Sequence, residues 1–423
     1  MNSSAEISLR PIFIFSTDLN NDEVSDVVWG SRGLILAFNG DYPELMWSNT
    51  STISNLENIA IAEISAEPQD LIIANRTSVA YLRLQDGHEW SKISFSPKNI
   101  LLLAAGFMNS DNTQDILVFT EDGSLICAES DGSLIWNQSS SGAISALTVG
   151  DITGNGRDDV VIANETHILA LNGSSGDFVG NWSISSSITH IRVNSLSNES
   201  LQNGFVALEA SGKAMAYLIT NSTPVWSAHL NSGSEWLGIS EVFSEGADQI
   251  YVFATKDGWL FCRDGASGEH IWDRQLPVNV TKNLATADLV GSEAMEVILA
   301  TQLTRGDRIV NNVIVLNGES GGFHFQADFP AEVILTMSAD WNNDTIADLG
   351  VATTDGWLYA MDIATGLPIW TANIPILLNL TNDESTSRIN RSDFAIKDVL
   401  VVSAILISAI VVGLGVMRYF RKK

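Results

Sequence analysis

Basic residues are scarce: 22 Lys and Arg stand against 50 Asp and Glu in 423 residues, a formal charge of −28. A phosphate backbone is repelled by such a surface, which argues against nucleic acid as a partner. Cysteine is scarcer still. Cys127 and Cys262 cannot make a disulfide framework or an all-cysteine zinc site, and they lie too far apart for a zinc-finger knuckle. No stretch before residue 394 keeps a 3.6-residue apolar period, so the bulk of the chain does not read as helical. The sequences G-x-S-x-G, H-E-x-x-H, G-x-x-x-x-G-K-[ST] and G-x-G-x-x-G are missing as well. Six scattered histidines share no ligand spacing. The expectation is a protein that is not an enzyme.

Apolar residues, at 45%, are numerous enough for a large core. The longest uncharged run is Val399 to Met417, and its 19 residues would make a helix of about 28 Å, close to the thickness of a bilayer core. Arg418, Arg421, Lys422 and Lys423 follow at once, as on the cytoplasmic side of an anchor. That orientation places residues 1–374 outside the cell or in a lumen, 375–398 as a polar stalk and 418–423 as a short cytoplasmic tail. Residues 1–20 lack the pattern of a signal peptide, so export predicts a start upstream; the alternative is a tail-anchored protein with its bulk in the cytosol. Thirteen Asn-x-Ser/Thr sequons, against about five expected by chance, favour a glycosylated exterior and a cell-membrane location.

A repeat organises the remainder. Trp47, Trp90, Trp136, Trp182, Trp226, Trp272 and Trp370 fall at intervals of 43, 46, 46, 44, 46 and 98, with Phe325 in the missing place. An acidic or polar residue before a short apolar run recurs with the same period, at Asp26, Asp70, Asp115, Asp159, Gln202, Asp248, Glu296 and Asp348. Within a unit, runs such as DVVIAN and HILALNG are β-branched and bounded by turn residues. Eight such units predict an all-β, eight-bladed propeller with four strands per blade, plus the one C-terminal transmembrane helix.

Two resemblances attach to these units. AMDIATGLPIW, ending at Trp370, and CRDGASGEHIW, ending at Trp272, resemble the tryptophan-docking motif of quinoprotein-like (PQQ-like) eight-bladed propellers. The resemblance implies that each Trp stacks on a neighbouring blade, with Thr365 and Gly366 making the turn that aims Trp370. It does not extend to the cofactor, because a quinoprotein dehydrogenase would show an adjacent cysteine pair; pyrroloquinoline quinone is not expected. The acidic loops resemble the FG-GAP repeats of integrin α-chain propellers.

Three loops share the spacing D-x-[NDT]-x-[ND]-x-x-x-D: Asp18, Asn20, Asp22 and Asp26; Asp151, Thr153, Asn155 and Asp159; Asp340, Asn342, Asp344 and Asp348. With the backbone carbonyls of Val24, Arg157 and Ile346, each could wrap a hard cation in about six oxygens, and the FG-GAP resemblance implies structural calcium. Other units carry degenerate versions, such as Phe107, Asn109, Asp111 and Asp115, or Asp288, Val290, Ser292 and Glu296, which do not read as metal sites. Trp341, inside the third loop, is expected to be less buried than Trp370. Arg305-Gly306-Asp307 falls in an insertion expected to form an exposed hairpin, and composition alone accounts for the tripeptide.

The functional expectation is a single-pass cell-surface protein whose calcium-stabilised propeller binds a protein or glycan as an adhesion module. A quinoprotein-like oxidoreductase or polysaccharide-active enzyme is the alternative from the catalytic class. A scaffold for assembly of envelope proteins is the third.

Overall fold

The computed structural model describes residues 10–374, apart from 51–57, 63–69, 112, 141, 196–202, 231–234, 244–248 and 293. The expected stalk 375–398, helix 399–417 and tail 418–423 lie outside the described residues. Among the described residues no helix is long and apolar enough to cross a membrane. The markers Gln202 and Asp248 also lie outside them.

Thirty-two strands form eight four-stranded sheets, each built from four consecutive strands paired antiparallel. The blades span 13–49, 58–94, 100–139, 146–183, 188–229, 236–275, 280–329 and 333–373. The first strands of blades 2 to 8 touch in succession, and Phe13–Thr17 of blade 1 meets Val333–Ala339 of blade 8. First strands therefore line the axis, and the eighth blade closes on the first. The eight-bladed, all-β expectation holds.

Position in the blade explains the sequence pattern of each strand. Second strands such as Asp26–Ser31, Asp115–Thr120 and Asp348–Thr353 are covered on both faces by neighbouring blades and buried at every residue. They read as short unbroken apolar runs. Outermost strands such as Leu134–Ser139 have one wet face and alternate. The hydrophobic clusters lie between blades: Val27, Trp29 and Leu36 of blade 1, for example, pack with Trp341, Leu358 and Ala372 of blade 8.

The periodic tryptophans join one blade to the next. The indole N–H of Trp47, Trp136, Trp182, Trp226, Trp272 and Trp370 donates to the carbonyl of Leu84, Gly173, Asn221, Gly265, Gly318 and Gly40 at 2.5–2.8 Å. Each acceptor belongs to the following blade, and Trp370 to Gly40 closes the ring. The turn that receives the ring needs glycine. Gly268 has φ 71°, and a Cβ there would lie 2.6 Å from the Trp226 ring. The motif therefore serves two junctions: Gly366 lies under Phe325 of blade 7, while Trp370 of the same motif reaches blade 1.

Trp90 departs from the pattern. Ser91, not Trp90, sits opposite Tyr81 at the docking register, and its hydroxyl donates to the Ser130 carbonyl of blade 3 at 2.8 Å. A one-residue offset turns Trp90 to the other face, where it is 40% exposed and donates to Asp70 at 3.1 Å. Cys127, Cys262 and Ala360 occupy one register, each opposite a docking Trp. Both thiols are free and buried, in blades 3 and 6. Arg305 pairs with Arg308 across an exposed two-residue turn in which Gly306 has φ 61°, as the hairpin expectation required.

Candidate functional site

The three acidic loops join first to second strands at one end of blades 1, 4 and 8 and share a backbone path. In the first, Asp18 accepts the N–H of Asn21, Asp22 and Glu23 at 2.7–3.2 Å, Asn20 accepts that of Asp22, and Asp22 accepts that of Val24. In the second, Asp151 accepts Gly154, Asn155 and Gly156, and Asn155 accepts Arg157. In the third, Asp340 accepts Asp344 and Thr345, Asn342 accepts Asp344, and Asp344 accepts Ile346. The fourth and sixth loop residues are left-handed throughout: Asn21 and Glu23, Gly154 and Gly156, Asn343 and Thr345, at φ 58–78°. Glu23 and Thr345 keep that conformation without glycine's freedom, a local strain of order 1–2 kcal/mol each.

The ninth-position acid does something else. Asp26 accepts the N–H of Leu19 and of Gly40, each at 2.9 Å, and Asp159 accepts Ile152, Thr153 and Gly173. Asp348 accepts Trp341 at 2.9 Å. All three are buried, and burial, before any other influence, raises their pKa; Asp348 is pushed up to about 7. The same role recurs where the loop is degenerate. Glu296 accepts Leu289 at 2.8 Å, and Asp115 takes the N–H groups of Met108 and Asn109. This acid is thus a hub that ties the loop to the sheet, whether or not the loop keeps the full acidic spacing.

The donor set of positions 1, 3 and 5 fits a hard cation in chemistry, since every side-chain donor is oxygen and the backbone holds the carboxylates in place. Among the described residues no group of three or more His, Cys, Asp or Glu side chains converges on one point. The oxygens of the ninth acid accept main-chain N–H groups in all three loops.

The second loop position carries the core plug that was not singled out in the sequence. Leu19, Met108, Ile152, Leu289 and Trp341 are 0–6% exposed. Trp341 is therefore buried, contrary to expectation. Its ring meets Trp370 edge to face at 5.6 Å between centroids, and Trp370 itself is only partly buried. The signal was present as an apolar residue after each loop's first position.

Around the axis the first strands carry hydroxyls that bridge neighbouring blades. Ser16 donates to the Ser338 carbonyl at 3.0 Å, Asn283 to the Thr336 hydroxyl at 3.1 Å, and Ser240 and Thr286 share a bond of 3.1 Å. Glu241 lies nearby on blade 6; burial pushes it up to about 7, against the opposing charge of Arg192.

Solved structures similar to this fold come from unrelated settings. The yeast Saccharomyces cerevisiae protein Sqt1 matches with a TM-score of 0.56 at 9% identity, covering 74% of this chain and 84% of its own. The computationally designed Ika8 matches with a TM-score of 0.54 at 15% identity, covering 75% and 88%. BBS1N, solved in complex with ARL6DN, matches with a TM-score of 0.50 at 14% identity, covering 83% and 92%. At these identities the likeness is one of fold alone. No curated relative matches the sequence. Residues 75–309, more than half of the chain, match one sequence family from within the second blade to the seventh. With its docking motifs and eight consecutive blades, the chain belongs to the family described as outer membrane protein assembly factor BamB.

Proposed function

We propose that this chain is a non-catalytic, protein-binding scaffold, held at a membrane by residues 399–417 with its propeller on the exterior. The family match over residues 75–309 carries the reading, because the family's description is that of an assembly factor. A propeller of the same fold, BBS1N, is found in complex with another protein. A rigid ring offers loops from eight blades at each end, so a partner can be recognised by loop chemistry without altering the scaffold. The acidic exterior suits a protein or glycan with a basic or neutral face.

Calcium is the ion proposed for the loops, as a structural staple. Asp18, Asn20 and Asp22 with the Val24 carbonyl would hold one ion. Asp151, Thr153 and Asn155 with that of Arg157, and Asp340, Asn342 and Asp344 with that of Ile346, would hold two more. Asp26, Asp159 and Asp348 anchor these loops from behind. The ion would neutralise carboxylates that otherwise repel one another, and it takes no part in a reaction.

Cross-linking the full chain in its own membrane, followed by purification and mass spectrometry, tests the scaffold reading. Envelope or surface proteins should be recovered with it in fixed ratio. Repeated recovery of the chain alone would remove the proposal. Reduction of an acceptor dye that depends on added pyrroloquinoline quinone would replace it with an oxidoreductase.

A further inference from the structure

A groove of about 620 Å³ runs along the outer part of blade 4, lined by Asn164, His167, Leu169, Phe178 and Asn181 among others. Phe178 is 65% exposed, so most of its aromatic ring meets water. The register explains how it comes to face Asn181. Asn181 pairs with Leu169, Gly180 with Ala170 and Phe178 with Leu171, so Val179 is a bulge. Without the bulge, residues three apart would point to opposite faces; with it, Phe178 and Asn181 share one. Trp182 takes the other face and is buried against Phe205 and Tyr217 of blade 5.

Asn181-Trp182-Ser183 is a sequon, and both Asn181 and Ser183 are exposed on an outermost strand. The second sequon asparagine in the groove contrasts with it. Asn164 is 7% exposed and its side-chain oxygen accepts the N–H of Thr166 and His167 at 2.9 and 2.8 Å. A glycan on Asn164 could not fit the folded turn; one on Asn181 would emerge over the Phe178 ring.

We propose that Asn181 is an N-glycosylation site whose first sugar lies with the C–H face of its pyranose on Phe178, so that the glycan covers the groove. The inference rests on the exterior placement of the propeller argued above. An apolar sugar face against an aromatic ring removes surface from water on both, which is what the exposed ring otherwise lacks.

Glycopeptide mapping of the full chain from its own membranes is the first test, and a saccharide mass on the Asn181 peptide is expected. The second is a thermal double-mutant cycle on Phe178→Ala, Asn181→Gln and the pair. In glycosylated chain the two single changes should each lower the midpoint, and the pair should fall no further than either. In chain made in the bacterial cytosol, without glycans, the coupling should vanish. A bare Asn181 beside other occupied sequons overturns this proposal alone. A chain with every sequon bare overturns the exterior placement and the site with it. An occupied Asn181 with additive midpoints overturns the sugar–ring contact.

Discussion

Trp341 and Trp370 show what a single residue's surroundings decide. Both lie at the junction of blades 8 and 1, but only Trp341 is fully enclosed, at 2% exposure. Trp341→Ala should cost about 3–5 kcal/mol, as a large buried side chain does, and Trp370→Ala less. Denaturant titration of the two variants checks the order, and a milder Trp341→Ala would contradict the packing described. The loop spacing drew attention to the acids and away from the apolar residue between them. Glu23 carries a second residue-scale consequence. It holds φ 70°, where the second loop has Gly156 at φ 78°. Glu23→Gly should raise stability by about 1 kcal/mol by relieving the left-handed strain, and Gly156→Ala should lower it by a similar amount. No atom would crowd a Cβ at Gly156, so that loss reports backbone conformation alone. Equal midpoints in chemical denaturation would show that these positions are not strained.

At the scale of the element, the loop and the buried acid behind it separate into two devices. If the first, third and fifth positions hold calcium, chelation should lower the melting midpoint of the full chain. The loops at 18–26 and 340–348, with two carboxylates each among those positions, should lose the ion after that at 151–159, which has one. A midpoint unchanged by chelator removes the staple. The acid hubs respond to protons instead. Burial pushes Asp115 and Glu296 up to about 7, far above their unfolded values near 4. Between those limits the folded state holds protons that the unfolded chain releases. Their contribution is therefore complete at low pH and is lost as pH rises toward 7 and beyond. Asp115→Asn and Glu296→Gln, which cannot ionise, should gain stability relative to the parent between pH 5 and pH 8. Urea titrations at the two pH values read that difference, and a relative loss at pH 8 would refute it.

The element scale is also where the sequence was most legible, and where it misled in one blade. Strands announced themselves through β-branched runs closed by Gly, Asn and Asp, because a blade offers either two dry faces or one. The bulge before the docking residue was invisible to spacing. That is why Trp90, one place early, read as equivalent to Trp136 although Ser91 holds the position. The loop path was readable from its alternate oxygen donors. The hub role of the ninth acid was not, since only a folded sheet brings the Gly40 and Gly173 amides to it.

For the whole molecule, the eight-unit count came from two markers of one period and matches eight sheets. The placement of Cys127 and Cys262 three blades apart follows from that count. What the period could not tell was how the ring is fastened. Among the described residues every blade is made of four consecutive strands, and no strand from one end completes the blade at the other. The junction of blades 8 and 1 uses the same fastening as most others, an indole on the next blade's carbonyl and an apolar seam. Nothing in the ring then marks where the polypeptide begins. The order of blades is a cyclic word that can be read from any letter: joining residue 374 to residue 10 through a short linker and cutting between Ser183 and Ile188 should give a permutant with an unaltered far-ultraviolet spectrum. Its denaturation midpoint should stay close to the parent's, and a permutant that fails to fold would mean that the natural seam holds the ring in a way the other seven do not.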